Sequence, residues 1–237
     1  MTHRDLRRLL AAVALALAAC DGDNGPGGPD YDPDIPADLG ADVTNPYFPL
    51  VPGTRYDFAG DTDQGQETTI VEVLGQTRTV NGVTARVVRD RVYLDGELIE
   101  DTFDWYAQGG DGNVWYLGED SKEIENGQVV STEGSWEWGV DGALPGIIMW
   151  ADPAAHFGED YRQEFYQGVA EDWARALGTG REVSVPAGDF TGCLETEDWN
   201  GLESGGAERK FYCPGTGLVL ETGSGGARVE LVELTAP

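Results

Sequence analysis

The sequence predicts a mainly β protein: a curved antiparallel meander sheet or half-barrel, with at most one or two short helices. Turn dipeptides of the Asn-Gly and Asp-Gly type recur along the chain, and such pairs supply the positive φ angles of two-residue hairpin turns. They stand at Asn81-Gly82, Asp95-Gly96, Asp111-Gly112 and Asn126-Gly127. The residues between them are rich in β-branched and aromatic side chains, which favour strands.

The spacing of these turns predicts consecutive hairpins. Residues 83–94 and 97–106 flank one turn, and a glycine-rich loop over 109–113 leads into a further strand at 114–117. Short antiparallel strands joined in this order form a meander. A three-to-four spacing of apolar residues is found only within residues 169–177, which form either a short helix or another strand.

The first twenty residues have the layout of an export signal. Three arginines precede the apolar run 9–19, which ends in Leu17-Ala18-Ala19-Cys20. A run of eleven residues is too short to cross a hydrocarbon core of ~30 Å as a helix.

Residues 17–20 resemble the lipobox of bacterial lipoproteins. That resemblance implies a signal peptide over 1–19, removal of it before Cys20, and acylation of the Cys20 thiol with chains such as palmitate. Two or more acyl chains hold a protein stably on a bilayer. The implied location is the cell envelope, with the mature domain anchored to a membrane and lying outside the cytoplasm, in the periplasm or at the surface. The aspartate at position 21 weakly favours the inner membrane, but the choice of membrane stays open.

An acidic segment rich in glycine and proline follows the predicted anchor. Residues 21–44 hold seven aspartates and no basic residue, and such composition predicts a disordered tether over 20–44. The spacing of its aspartates does not match a calcium-binding EF-hand loop, because Gly25 and Pro26 fall at the fifth and sixth positions. Residues 45–237 are then expected to form a single antiparallel β domain.

The chain is strongly acidic. Its formal net charge is −28, and only two lysines occur, Lys122 and Lys210. A surface this negative repels nucleic acid, so no nucleic-acid partner is expected. The charge favours solubility, or tolerance of salt, over recruitment of cations.

Two segments of the domain resemble a broad set of exported bacterial β-sheet domains of unknown function. The chain opens the domain with Asn45-Pro-Tyr-Phe-Pro-Leu-Val-Pro-Gly-Thr-Arg-Tyr56, similar to their Pro-Leu-x-x-Gly start. Residues 183–190, Val-Ser-Val-Pro-Ala-Gly-Asp-Phe, resemble their Val-Pro-Ala-Gly-x-Phe turn. The resemblance implies a curved antiparallel sheet and no particular activity.

Two cysteines remain once Cys20 is set aside. Cys193 and Cys213 each lie in a strand-like stretch, and residues 201–206 between them form a natural hairpin connection. An exported chain lies in a compartment that permits disulfides, so we predict a bridge across this hairpin.

The sequence offers no recognisable catalytic motif. The mature chain has one histidine, His156, which is too few for a histidine-rich zinc site, and we expect it to be a surface or turn residue. No nucleophile elbow, P-loop or dinucleotide fingerprint occurs. No catalytic residue, metal or cofactor is therefore predicted.

Aromatic residues in the middle third of the chain are the candidates for ligand binding. The candidates are five tryptophans: Trp105, Trp115, Trp136, Trp138 and Trp150. Strand alternation predicts that Trp136 and Trp138 share a face, and that Trp105 and Trp115 pair across a hairpin. These rings either fill the core or line a groove for a small apolar or sugar-like ligand.

Together these features predict a lipid-anchored envelope protein whose domain is a non-catalytic binding or interaction module. Two alternatives stay open: a carboxylate-dependent hydrolase of the envelope, and an acidic structural lipoprotein that binds cations or basic partners. A buried acid with a raised pKa inside a cleft would favour the hydrolase. The sequence leaves the ligand and the oligomeric state open.

Overall fold

A computed structural model describes residues 31–62, 64–202 and 206–237. Sixteen strands occur in these ranges: β1 Arg55–Asp61, β2 Gln66–Val80, β3 Val83–Leu94, β4 Glu97–Gln108, β5 Val114–Asp120, β6 Glu123–Glu125, β7 Gln128–Ser131, β8 Trp136–Glu137, β9 Leu144–Met149, β10 Asp160–Arg162, β11 Glu164–Phe165, β12 Asp172–Val185, β13 Gly188–Asn200, β14 Glu208–Cys213, β15 Gly217–Thr222 and β16 Arg228–Thr235. Two short 3₁₀ segments, Pro153–His156 and Ser224–Gly226, are the helical elements of the described ranges. The predicted fold class is confirmed.

The strands form one curved antiparallel sheet that nearly closes into a barrel. Its path runs β10-β12-β13-β14-β15-β16-β1-β2-β3-β4-β5-β9-β11, with β6, β7 and β8 attached at its side. The two ends of this path, β10 and β11, are neighbours in the chain, separated by Gln163 alone. The sheet therefore curls until its last strand meets its first, which leaves little free edge.

The hairpin turns form as their dipeptides predict. Asn81, Asp95 and Asn126 have φ angles of 43°, 50° and 52°, and the glycine after each also has a positive φ. These are the angles of the tight turns whose twist matches the flanking strands. The Asp111-Gly112 pair differs, since only its glycine has a positive φ, and it lies in the longer loop between β4 and β5.

Residues 169–177 contribute to a strand, which settles the choice that the sequence left open. Strand β12 begins at Asp172 and pairs with both β10 and β13. Its inward positions at Ala174 and Ala176 are fully buried. Alanine is only weakly apolar, so Ala174 and Ala176 do not stand out in the sequence as alternating apolar positions of a strand. The larger Trp173 and Leu177 instead give the spacing that is typical of a helix.

The predicted disulfide is confirmed. Cys193 on β13 is bonded to Cys213 on β14, next to the cross-strand pair of Leu194 and Tyr212. Both cysteines are buried in the largest apolar cluster of the barrel. The bridge therefore joins two neighbouring strands across the hairpin connection, as the spacing predicted.

The boundary predicted for the tether needs correction. Residues 31–44 pack against the barrel, and Val43 is 3% exposed and belongs to the core. Ile35 and Leu39 pack on a second apolar cluster, and Gly40 pairs with Gln108 of β4. A few well-spaced apolar side chains suffice to hold this acidic segment in place. The signal peptide, Cys20 and tether residues 21–30 lie outside the described residues.

The N-terminal segment also contacts the site where the sheet closes. The Tyr31 hydroxyl donates a hydrogen bond to the Pro145 carbonyl of β9 at 2.9 Å. The Tyr31 ring meets the Phe165 ring of β11 edge-on at 5.6 Å. The Arg162 guanidinium lies 4.3 Å from the Phe165 ring and 4.2 Å from the Trp173 ring.

No helix in the described ranges is long and apolar enough to span a membrane.

Closure of the barrel depends on a glycine in β9. A Cβ at Gly146 would lie 2.4 Å from the backbone of Gln163 and 2.5 Å from the Arg162 carbonyl oxygen. We expect Gly146→Ala to lower the free energy of unfolding by roughly 1–3 kcal/mol, because main-chain atoms must shift to admit the methyl group. Urea denaturation measures this change.

Gly75→Ala is the matched control, because a Cβ at this β2 glycine meets nothing within 4 Å. We expect its free energy of unfolding to stay within about 1 kcal/mol of wild type. Equal effects of the two substitutions would contradict a close approach at residue 146.

Candidate functional site

A cavity of about 170 Å³ lies among the inward-facing side chains of the barrel. Most of the groups around it are polar, and half of the residues that line it are acidic. The lining carboxyl groups are those of Asp90, Glu100, Asp104, Glu119, Glu164 and Asp172. Lys210 is the basic residue of the described lining.

Strand alternation places these groups together. Glu100, Thr102, Asp104 and Tyr106 occupy every second position of β4, so all four point to the same face of the sheet. Asp90 of β3 lies directly opposite Thr102 and therefore joins that face. The interior of the barrel thus presents a polar row where a purely apolar core would be the ordinary arrangement.

The fifth strand extends this row. Glu119 pairs with Asp104 across β4 and β5, and Tyr116 pairs with Tyr106. The two tyrosine rings stack with their centroids 4.9 Å apart. Two carboxyl groups in a directly opposed pair repel each other when both are ionised, so this pairing demands a compensating interaction.

A shared hydroxyl supplies the compensation. The Tyr116 hydroxyl lies 2.7 Å from Asp104 Oδ1 and 2.9 Å from Glu119 Oε2. A hydroxyl has one proton to donate, so two ionised carboxylates would leave one contact without a hydrogen. A proton on one of the two carboxyl groups, donated to the phenol oxygen, would satisfy both contacts.

Burial supports the same conclusion. Removal from water raises the pKa of Glu119 well above its ordinary value, and the charge of Asp104 raises it further. Burial likewise raises the pKa of Asp104, and the hydrogen bond from Tyr116 opposes that rise. Burial thus favours the protonated form of both carboxyl groups.

Asp90 is an acid of the lining with an unsatisfied oxygen atom. Its Oδ1 atom is buried and accepts no hydrogen bond from the residues that the structure describes. Burial raises the pKa of Asp90 well above its ordinary value, and the charges of Asp104 and Glu100 add to this effect. A buried carboxyl oxygen without a donor is costly, which marks this atom as a place for an additional donor.

Lys210 is held by acids on the neighbouring strands. Its Nζ lies 3.6 Å from Asp198 Oδ2 and 4.0 Å from Glu221 Oε1. Burial opposes its charge, but the carboxylates of Glu221 and Asp198 outweigh burial and raise the pKa of Lys210. Glu221 is 2% exposed, accepts no hydrogen bond within the described chain, and has its pKa raised to about 8 by burial.

Further acids around the cavity are protonated more readily than usual. Burial raises the pKa of Glu100 to about 7, against the hydrogen bond from Thr102 that lowers it. Burial also raises the pKa of Glu67 on β2 to about 7. Glu164 Oε2 accepts a hydrogen bond from the Trp136 indole at 2.6 Å, and burial raises its pKa well above the ordinary value.

The five candidate tryptophans do not line this cavity. Trp105, Trp115 and Trp136 are each 4% exposed and belong to apolar clusters. Trp138 and Trp150 are half-buried and pack against one of these clusters. Ligand binding by these rings stays a prediction, although the structure places three of them in the core.

The aromatic pairing in the central hairpin differs from the expected one. Trp115 lies opposite Ala107, not opposite Trp105, because the register between β4 and β5 shifts after Asp104. The ring pair that forms across this hairpin is Tyr106 with Tyr116.

His156 lies outside the lining of the cavity. Its ring stacks on Trp150 at 3.9 Å, and its Nδ1 is 3.0 Å from Glu159 Oε2. It ends a 3₁₀ turn, so its place agrees with the expectation of a turn residue.

Sequence reasoning missed the acidic lining. With 43 aspartates and glutamates in the chain, no individual carboxyl group stood out. The available signal was the alternation Glu100-x-Thr102-x-Asp104-x-Tyr106 within a predicted strand. Polar residues at every second position indicate one polar face, but the sequence does not say whether that face points to solvent or inward.

Comparisons with known proteins add little about function. No protein-family model and no curated protein sequence matches the chain. One solved structure that resembles it is a crystal structure of a protein assigned as a lipoprotein from Parabacteroides distasonis ATCC 8503. The likeness has a TM-score of 0.42 and 12% sequence identity, and it covers 80% of this chain and 98% of that chain. A likeness of this size carries no argument about function.

The buried acids predict that stability falls as pH rises. The unfolded chain releases the Glu100 proton near pH 4.5, whereas the folded state retains it to about pH 7. The folded state therefore binds more protons between these values and loses stability as pH rises through them. We expect the free energy of unfolding to fall by about 2 kcal/mol or more between pH 5 and pH 9, as measured by urea denaturation.

Glu100→Gln should flatten this curve, because the amide keeps the shape of the side chain and the hydrogen bond from Thr102 but does not ionise. The matched control is Glu182→Gln, which alters an exposed acid of β12 and should leave the slope unchanged. A wild-type stability that is flat or increases over this range would contradict the burial of titrating acids.

Proposed function

We propose that this protein is a lipid-anchored component of the cell envelope whose barrel is a non-catalytic binding module. Its ligand is a small molecule that donates hydrogen bonds and occupies the acidic cavity. The observation that carries the proposal is the buried Oδ1 of Asp90, which has no donor within the described chain and belongs to a residue of the cavity lining.

The chemistry of the lining supports a ligand rich in donors. An ionised carboxylate only accepts hydrogen bonds, so each of the six lining acids adds acceptors to the same space when it ionises. A bound molecule that donates to Asp90 would satisfy the atom that the protein leaves unsatisfied. The lining of the cavity therefore favours a polar ligand over the apolar molecule that the tryptophans suggested.

The anchor is supported by the sequence alone. The charged start, the eleven-residue apolar run and the sequence Leu17-Ala18-Ala19-Cys20 are consistent with cleavage and acylation of an exported chain. Acylation of Cys20 would hold the barrel at a membrane surface outside the cytoplasm.

Metabolic labelling with palmitate tests the anchor. We expect the wild-type chain to incorporate the label and its N-terminal peptide to begin at an acylated Cys20, whereas Cys20→Ser incorporates none. The double variant Cys193→Ser/Cys213→Ser is the matched control and should retain the label. A wild-type chain with an unmodified thiol at position 20 would refute lipid anchoring.

A carboxylate-dependent hydrolase is the second candidate. It is favoured by the contact of Asp104 and Glu119 with one Tyr116 hydroxyl in a site where burial raises the pKa of both acids. General acid–base chemistry needs a carboxyl group that stays protonated near neutral pH. The buried pair with raised pKa values is the feature that such an enzyme would show.

Native mass spectrometry of the full chain, extracted in mild detergent from its own envelope, separates the two candidates. We expect the wild-type protein to carry an intact small molecule that Asp90→Asn loses, because the amide no longer accepts at both of its terminal atoms. Asp34→Asn alters an exposed acid and serves as the control that retains the molecule.

Empty wild-type protein would contradict the binding module. A cleaved fragment in the wild type, replaced by the uncleaved molecule in Glu119→Gln, would instead identify the hydrolase.

A further inference from the structure

We infer that the cavity binds an aliphatic diamine or a longer linear polyamine, with its ammonium groups on separate carboxylates. This inference rests on the proposed function and specifies its ligand class. Five strands supply the carboxyl groups of the lining, and one lysine is its only basic residue within the described chain.

Charge complementarity selects a cation. The Lys210 ammonium is already engaged by Asp198 and Glu221, at 3.6 Å and 4.0 Å. It therefore does not neutralise Asp90, Glu100 or Asp104 on the strands across the cavity. A ligand that carries positive charge pairs with the lining acids as they ionise, whereas a neutral sugar brings no counter-charge to them.

The arrangement of the carboxyl groups selects an extended cation over a metal ion. Within residues 31–62, 64–202 and 206–237, no three acidic, histidine or cysteine side chains converge on a point where a metal ion would be held. The lining acids instead belong to different strands, from Asp90 on β3 to Glu164 on β11 and Asp172 on β12. Negative groups on several strands around one space match a chain with a positive group at each end.

The walls between the acids suit methylene groups. Ile148 and the stacked rings of Tyr106 and Tyr116 line the same cavity. Aromatic faces attract ammonium groups and pack against the CH₂ groups next to them. A volume of about 170 Å³ has room for a short aliphatic chain in place of several water molecules.

Asp90 provides the anchoring point. An ammonium group has three hydrogens to donate and no acceptor, so it satisfies a carboxylate without adding an unpaired acceptor to the cavity. Asp90 Oδ1 is a buried acceptor of a lining residue, and it accepts no hydrogen bond within the described chain.

Binding of the diamine displaces protons. A positive charge in the cavity favours the ionised form of the nearby acids, which hold protons in the empty state because of burial. The titratable groups that line the cavity or act on those that do are Glu67, Asp90, Glu100, Asp104, Tyr106, Tyr116, Glu119, Glu123, Glu164, Asp172, Asp198, Glu208, Lys210, Tyr212 and Glu221.

Isothermal titration of the full chain with 1,4-diaminobutane tests the inference. We expect one molecule to bind per chain at ~0.15 M salt, where contacts with the exposed acidic surface are screened. The measured heat should differ between buffers of different ionisation enthalpy, because protons leave the site. Butane-1,4-diol has the same length and no charge, and it should not bind.

Variants locate the site. Asp90→Asn should weaken diamine binding at least ~10-fold, since a hydrogen bond to a charged group is lost. Asp34→Asn changes the net charge equally at an exposed position and should bind like wild type. Glu100→Gln is a second cavity variant that should also weaken binding, which guards against misfolding of the first; circular dichroism checks both.

Three outcomes would overturn the inference: no heat with the diamine at ~1 mM, equal binding of the diol, or equal diamine binding by wild type and Asp90→Asn. Tighter binding of calcium chloride at the same site would also overturn it, in favour of a metal ion. If the inference fails while the native wild-type protein still carries a molecule that depends on Asp90, the proposed binding function stands and only the ligand class is wrong.

Discussion

The interior of this barrel must hold more carboxyl groups than it has cations to neutralise them. A buried ionised carboxylate without a partner is too costly for a domain of ordinary stability. Burial favours the protonated forms of these acids, and two local contacts compensate others. The Tyr116 hydroxyl contacts both Asp104 and Glu119, and the Lys210 ammonium lies between Asp198 and Glu221. Asp90 Oδ1 has no such partner within the described chain.

The excess of carboxyl groups constrains the fold because the sheet closes. An open sheet would leave one face in water, and the acids of β4 would then be ordinary surface groups. Because β10 and β11 meet at Gln163, the face that carries Glu100 and Asp104 is enclosed. The same alternation of residues therefore has opposite consequences in an open and in a closed sheet.

This explains what the sequence predicts and what it does not. The hairpins at Asn81 and Asp95 and the Cys193–Cys213 bridge follow from local chemistry, so they were predictable. The enclosure of Glu100 depends on strands that are distant in the chain, and no local pattern reveals it. The packing of residues 31–44 escaped prediction for a related reason, since a few contacts such as that of Val43 outweigh an acidic composition.

The contacts of Tyr31 have a mechanical consequence. Its hydroxyl and ring contact β9 and β11. Those two strands are joined by only two residue pairs, Glu164 with Pro145 and Phe165 with Leu144. Tension that reaches Tyr31 is thus delivered to a seam of two residue pairs, beside Gln163 and Glu164 of the cavity wall. Such a load would open the barrel from the side that holds Glu164.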